Sequence, residues 1–160
     1  MIGFVKALTR DARTITRLRR VVWDETYRGI YPDEAIDNYC EAFHEARDLA
    51  RILDPDHEVF VIRNDGTPVG YFSFIHKDKV HITSLYVIRS CKGLGAGSRA
   101  IDTVREYCKA HFLPSFTVNC NEHNLPARAF YEHMGGKLVL VDGGHEEKRE
   151  DQATYSFEIS

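Results

Sequence analysis

Leu85-Tyr86-Val87-Ile88-Arg89-Ser90-Cys91-Lys92-Gly93-Leu94-Gly95-Ala96-Gly97-Ser98 runs from an apolar, β-branched segment through a loop with three glycines into a helical pattern. Glycine accepts positive φ at little cost and lets a ligand approach the backbone. The first turn of a helix leaves its N–H groups without partners, and the helix dipole adds about half a positive charge there. A strand, a glycine loop and a helix start in this order therefore predict a cradle for a phosphate or pyrophosphate. Its donors are the amides of Gly93, Leu94, Gly95, Ala96, Gly97 and Ser98, with the Lys92 ammonium assisting. The competing structural reading is a flexible loop that holds nothing.

Two other phosphate motifs do not fit. The glycines alternate as G-x-G-x-G, not as the G-x-G-x-x-G of a dinucleotide site. Glu122 lies about 25 residues downstream, near where a ribose-binding acid is wanted. The motif nevertheless falls mid-chain behind an antiparallel hairpin, and too few residues follow for a second nucleotide half. The P-loop pattern G-x-x-x-x-G-K-[ST] is absent.

Outward from this stretch, residues 3–8 read as an opening strand. Ala12, Ile15, Leu18 and Val22 recur at helical spacing, with Arg10, Arg13, Arg17, Arg19 and Arg20 on a solvated face. Gly29 interrupts, Pro32 restarts, and Ile36, Tyr39, Cys40, Phe43, Ala46, Ala50 and Leu53 predict one second amphipathic helix. Strands follow at 59–62 and 69–75, joined by the hairpin signal Asn64-Asp65-Gly66-Thr67. A third strand spans 80–88. Ile101, Val104 and Cys108 mark the helix behind the glycines. A strand at 116–120, a helix capped by Asn124, strands at 138–141 and 155–159, and a solvated loop at 142–151 complete the chain. The order is β-α-α-β-β-β-α-β-α-β-β, an α/β chain with a mixed sheet flanked by helices, not a doubly wound nucleotide fold.

At 160 residues the chain is the size of one domain, and residues 1–160 read as a single unit. With 43% hydrophobic and 28% charged residues it can build a core and is not a disordered chain. Its net charge of −3 gives no support to a nucleic-acid partner. No apolar run approaches the ~18 residues of a membrane span, and the first residues do not resemble a secretory signal. Cys40, Cys91, Cys108 and Cys120 show no zinc spacing. The expectation is a cytoplasmic protein without a structural metal.

The glycine stretch resembles the acetyl-CoA signature of the GNAT N-acetyltransferase superfamily, [QR]-x-x-G-x-[GA], read here as Lys92-Gly93-Leu94-Gly95-Ala96-Gly97. Lys92 replaces the usual Gln or Arg, which keeps a donor and loses planarity. A second signature, N-x-x-A-x-x-[FL]-Y-x-x-x-G, is similar to Asn124-Leu125-Pro126-Ala127-Arg128-Ala129-Phe130-Tyr131-Glu132-His133-Met134-Gly135. The order and separation of the two motifs and the strand order match the superfamily over the whole chain.

The resemblance implies a sheet that splays between the strand holding Leu85-Tyr86-Val87 and the strand at 116–120. The amides of Leu85, Tyr86 and Val87 then hold the pantetheine and thioester end of acetyl-CoA. Those of residues 93–98 hold the pyrophosphate, Asn124 and Ala127 border the pantetheine arm, and Tyr131 faces the departing sulfur as general acid. The implied reaction is acetyl transfer to a primary amine of a small molecule or peptide by direct attack, with a backbone N–H near Val87 supporting the oxyanion. A reference pKa of about 10.4 requires the amine to lose a proton first. His81 occupies the position where some members carry a glutamate base, and Glu25 and Tyr27 are fallbacks. Against these roles stand helix packing for Tyr131 and a half-exposed strand residue for His81.

Trp23, Tyr27 and Tyr31, beside Asp24, Glu25, Asp33 and Glu34, form a candidate acceptor mouth for a cationic amine. The alternative is aromatic packing under a solvated rim. His123 and His133 read as solvated. Cys91 and Cys120 border the expected cleft but lack the partners a covalent route needs. A homodimer is a family-level expectation. Two other functions are open: a CoA or acyl-CoA sensor without turnover, and a nucleotide-binding module using the same loop.

Overall fold

The computed structural model describes residues 1–160. In chain order its elements are β1 (Ile2–Lys6), α1 (Ala12–Tyr27), α2 (Asp33–Asp37), α3 (Glu41–Leu53), β2 (His57–Asn64), β3 (Thr67–Ile75) and β4 (Val80–Val87), then α4 (Ala96–Ala110), β5 (Ser115–Asn121), α5 (Leu125–His133), β6 (Lys137–Asp142) and β7 (Gln152–Glu158). They form one seven-stranded sheet in the order β1-β2-β3-β4-β5-β7-β6. Every pairing is antiparallel except β4–β5. The mixed α/β architecture agrees with the sequence reading.

Strand alternation sends side chains to two cores. On one face Phe72, Phe74, Ile82, Phe116, Val118 and Phe157 pack beneath Ile101 and Val104 of α4 and Tyr131 of α5. On the other, Val59, Val61 and Tyr71 meet Ile15 and Leu18 of α1. The β2–β3 turn forms at the expected residues. Asp65 and Gly66 take φ of 49° and 86°, the pair of positive values that suits a two-residue hairpin.

Three expectations need correction. The helix expected from Ile36 to Leu53 is two helices. Asn38 closes α2 with its N–H on the Glu34 carbonyl, and Tyr39 turns inward, its hydroxyl donating to the Thr16 carbonyl at 3.2 Å and its ring on Trp23. The apolar face read for α3 is mostly outside, since Phe43 is 61% and Leu53 63% exposed. α3 instead seats Asp48, 2% exposed, against α1. There Arg19, read as solvated, is buried and forked onto both Asp48 carboxylate oxygens, with the second contact at 2.7 Å. Thr16 adds a hydroxyl donor to the same carboxylate at 2.8 Å. Hydropathy cannot announce this pair, because both residues score as surface.

The loop at 142–151 is also more than solvated chain. Asp151 is buried, accepts from the His145 N–H at 3.0 Å, and meets His123 Nε2 at 2.7 Å. The Asn121 amide holds the Lys148 carbonyl at 2.7 Å. His123, expected in solvent, is thereby part of the strap that ties this loop to the end of β5. No helix of the structure is long and apolar enough to cross a membrane.

Candidate active site

β4 and β5 pair only at Val80, Ile82 and the residue between, opposite Phe116 to Val118. Beyond Ile82 the strands diverge. β4 also carries a bulge where Ser73↔Ser84 gives way to Phe74↔Ile82, leaving Thr83 as the extra residue. Ile88 donates its N–H to Val69 of β3. The two-residue period of a strand turns the N–H groups of Val87 and Leu85 the other way, into the gap. Gly70 keeps β3 close behind this segment. A Cβ there would stand 2.2 Å from the Tyr86 carbonyl oxygen.

The gap opens into a cleft of about 630 Å³ whose floor is the start of α4. Gly95, with φ of 88°, is the N-cap, and Gly93 has φ of 85°. A Cβ at either would meet nothing within 4 Å, so these glycines serve backbone conformation and an open approach. The side chain of Gly97 is missing for a different reason. Its Cβ would lie 2.7 Å from Cζ of Phe130, so this glycine lets α5 pack onto α4. Ala96, Gly97 and Ser98 begin the helix with free N–H groups, as an anion site needs.

The far wall is α5. Asn124 caps it, its side-chain oxygen accepting from the Ala127 N–H at 3.3 Å. That leaves the Asn124 NH₂ as the group that can meet a ligand. Tyr131 is 6% exposed, lines the cleft, and packs against Phe130, Tyr155 and Phe157. Burial pushes its phenol well above the ordinary range, with Tyr86 and Cys120 adding to the shift. It therefore keeps its proton at neutral pH. Cys120 also borders the cleft, and burial pushes its thiol up to about 11. A thiol is a poor nucleophile, which disfavours an acyl-cysteine route.

The structure gathers Leu85, Tyr86, Val87, Lys92 and Gly93 around the cleft. Gly95, Ala96, Gly97 and Ser98 complete the floor, and Asn124, Ala127 and Tyr131 the wall. Three expected site residues do not line it. Leu94 turns its side chain outward, 52% exposed, leaving only its backbone to the loop. His81 sits where β4 and β5 are still paired, short of the divergence, with Nδ1 on the Thr117 hydroxyl at 2.7 Å. Burial lowers its pKa. The Glu25 carboxylate accepts from the Arg89 N–H at 2.9 Å, and the Arg89 guanidinium holds the Glu25 carbonyl, tying α1 to the end of β4.

Trp23, Tyr27 and Tyr31 do face the cleft, from the opposite side of the sheet to α4. The Tyr27 and Tyr31 rings stack at 4.3 Å, and burial pushes Tyr31 up to about 12. The acidic rim is weaker than expected. Arg28 reaches Asp24 and Asp33 at 3.1 Å and Asp37 at 2.7 Å, so one guanidinium offsets three carboxylates. Sequence reasoning missed Thr83, Ser84, Asn119, Asn121 and His133 in the lining. The bulge that admits Thr83 and Ser84 left no signal in the residue pattern.

Comparison with known proteins agrees with this geometry. The Acetyltransferase (GNAT) family profile matches residues 22–136, and the chain belongs to that family. A Bacillus subtilis protein named uncharacterized N-acetyltransferase YhfO is 25% identical over 137 residues, covering 81% of this chain and 86% of its own. Among solved structures, the PaiA N-acetyltransferase of Thermoplasma acidophilum in complex with coenzyme A superposes with a TM-score of 0.85 at 20% identity, over 99% of each chain. A GCN5-related N-acetyltransferase of Rhodopseudomonas palustris gives 0.77 at 20% identity, over 98% of this chain and 95% of that one.

Proposed function

We propose that this protein transfers an acetyl group from acetyl-CoA to a primary amine of a small molecule or peptide by direct attack. The observation that carries the reading is the divergence of β4 from β5 directly before the open N-terminus of α4. The residues fit the coenzyme: free helix amides and Lys92 suit a diphosphate, and the unpaired edge of β4 suits the amides of a pantetheine arm. When bound, acetyl-CoA supplies an activated thioester. The chain's own groups do the rest. Leu85 and Val87 aim N–H donors into the gap, Asn124 offers its NH₂, and Tyr131 holds the proton a departing thiolate takes. Trp23, Tyr27 and Tyr31 form an aromatic wall for the acceptor, whose protonated amine they can contact through their π faces.

The test is direct. Acetyl-CoA at 100 times its Kd should stabilise the fold by about 2.7 kcal/mol in thermal denaturation, and an amine panel should release free thiol with an acetylated product seen by mass spectrometry. Binding without thiol release from any amine identifies an acyl-CoA sensor instead. Equal stabilisation by ATP or NAD and none by acetyl-CoA identifies a nucleotide module.

The protein is further read as a single cytoplasmic unit, supported by its four unpaired cysteines, that forms a homodimer. The support for the dimer is β6, an edge strand whose Leu138, Val139, Leu140 and Val141 are 42–58% exposed. An apolar edge is self-complementary about a two-fold axis. Sedimentation of the wild type and of Leu140→Lys decides: a dimer that the charge splits agrees, and a wild-type monomer does not.

A further inference from the structure

On the acceptor side of the sheet a short polar chain runs from the cleft into the protein. Thr83, the bulged residue of β4, borders the cleft. Its Oγ1 lies 2.6 Å from His57 Nε2 and 2.7 Å from the Ser73 hydroxyl. His57 and Ser73 are 8% and 2% exposed. His57 begins β2 and Ser73 lies in β3, so three strands converge on one hydroxyl. His57 Nδ1 makes no hydrogen bond within the protein and is not sealed from solvent.

We propose that His57 accepts the acceptor amine's proton through the Thr83 hydroxyl, a role that neither His81 nor Glu25 is placed to fill. The hydrogen-bond count supports this. A threonine hydroxyl has one proton and two lone pairs. With its proton on His57 Nε2 and one lone pair receiving the Ser73 hydroxyl, Thr83 keeps one lone pair to receive a proton from an alkylammonium in the cleft. As Oγ1 takes that proton, its own passes to Nε2. The imidazolium then releases a proton to solvent, and the neutral ring and both hydroxyls are restored by exchange with water. No bond to carbon changes in this step, and it needs no further reagent.

The surroundings keep the ring neutral and ready. Burial lowers the His57 pKa, Arg51 of α3 lowers it further, and His76 at the end of β3 acts the same way. Asp54 and Glu58 oppose them. The net direction is down from 6.5, so His57 is an unprotonated base at pH 7.

The proposal rests on the acetyltransferase reading, and the experiment separates the two. Nitrogen-15 NMR of the acetyl-CoA-bound protein at pH 7 should show His57 with Nε2 bare and Nδ1 protonated; an Nε2–H ring overturns the proposal without any assay. With an amine that the wild type acetylates, His57→Gln and Thr83→Val should each lower kcat/KM at least tenfold at pH 7. They should also move the acid limb of the pH profile to higher pH, while KM for acetyl-CoA stays within about twofold. Thr83→Ser should restore most of the rate. A wild-type pH profile in His57→Gln, or equal loss in Thr83→Ser and Thr83→Val, sinks the relay and leaves the enzyme reading intact. A wild type that binds acetyl-CoA but acetylates no amine sinks both.

Discussion

Tyr131 meets two demands with one placement. Its ring fills the core beneath α5, and the residue borders the cleft in a setting that makes the phenolate costly. Tyr131→Phe keeps the packing and removes the proton. The rate of thiol release should fall about 10²-fold with little change in KM for acetyl-CoA, and unchanged kcat across pH would remove the residue from the reaction. Gly97 shows how one residue serves two elements. Gly97→Ala gains about 0.5–1 kcal/mol of helix preference but sets a methyl group 2.7 Å from the Phe130 ring. Overpacking of about 1–3 kcal/mol should win, giving a lower urea midpoint and weaker acetyl-CoA binding as α5 is pushed off α4. The sequence names both residues through its motifs. It does not reveal that the Cα of Gly97 faces the Phe130 ring, because that partner lies in another helix.

Between elements, the Arg19–Asp48 fork locks α1 to α3, whose one buried residue is that acid. Arg19 also lies over the Tyr71 ring, its carbon 5.0 Å from the centroid. Asp48→Ala strands a buried guanidinium and should cost about 3–5 kcal/mol. Replacing both partners by apolar residues, Arg19→Met with Asp48→Leu, should cost much less. Chemical denaturation of the two variants checks the order; equal losses would mean that packing, not the uncompensated charge, sets the cost. Helix periodicity finds α1, α4 and α5 because most of their buried residues are apolar. It fails at α3, where the buried residue that matters is an acid. The break at Asn38 is likewise invisible locally, since it is Trp23 and Thr16 of α1 that draw Tyr39 inward.

For the whole molecule, pH acts through the strap between β5 and β7. The Asp151 carboxylate is held below its ordinary value of 3.8, first by the hydrogen bond from His123, then by the His145 N–H. A depressed acid stabilises the fold at pH above its unfolded value, and that contribution disappears as pH falls through the lower folded value. Stability should therefore be flat with respect to Asp151 near neutrality and decline below about pH 4, and Asp151→Asn should flatten that acid limb in thermal scans at stepped pH. Apart from the division of the second helix at Asn38, the sequence alone determined the element order, the mixed sheet, the glycine-to-helix junction and the two motifs. Those depend on residue spacing and local backbone preference, which neighbours in sequence control. Only the tertiary structure decided that His81 stops short of the cleft, that Glu25 ties a loop, and that His57, Ser73 and Thr83 meet on one hydroxyl. Strand register and a bulge bring together residues far apart in the chain, and no pattern of near neighbours encodes that distance.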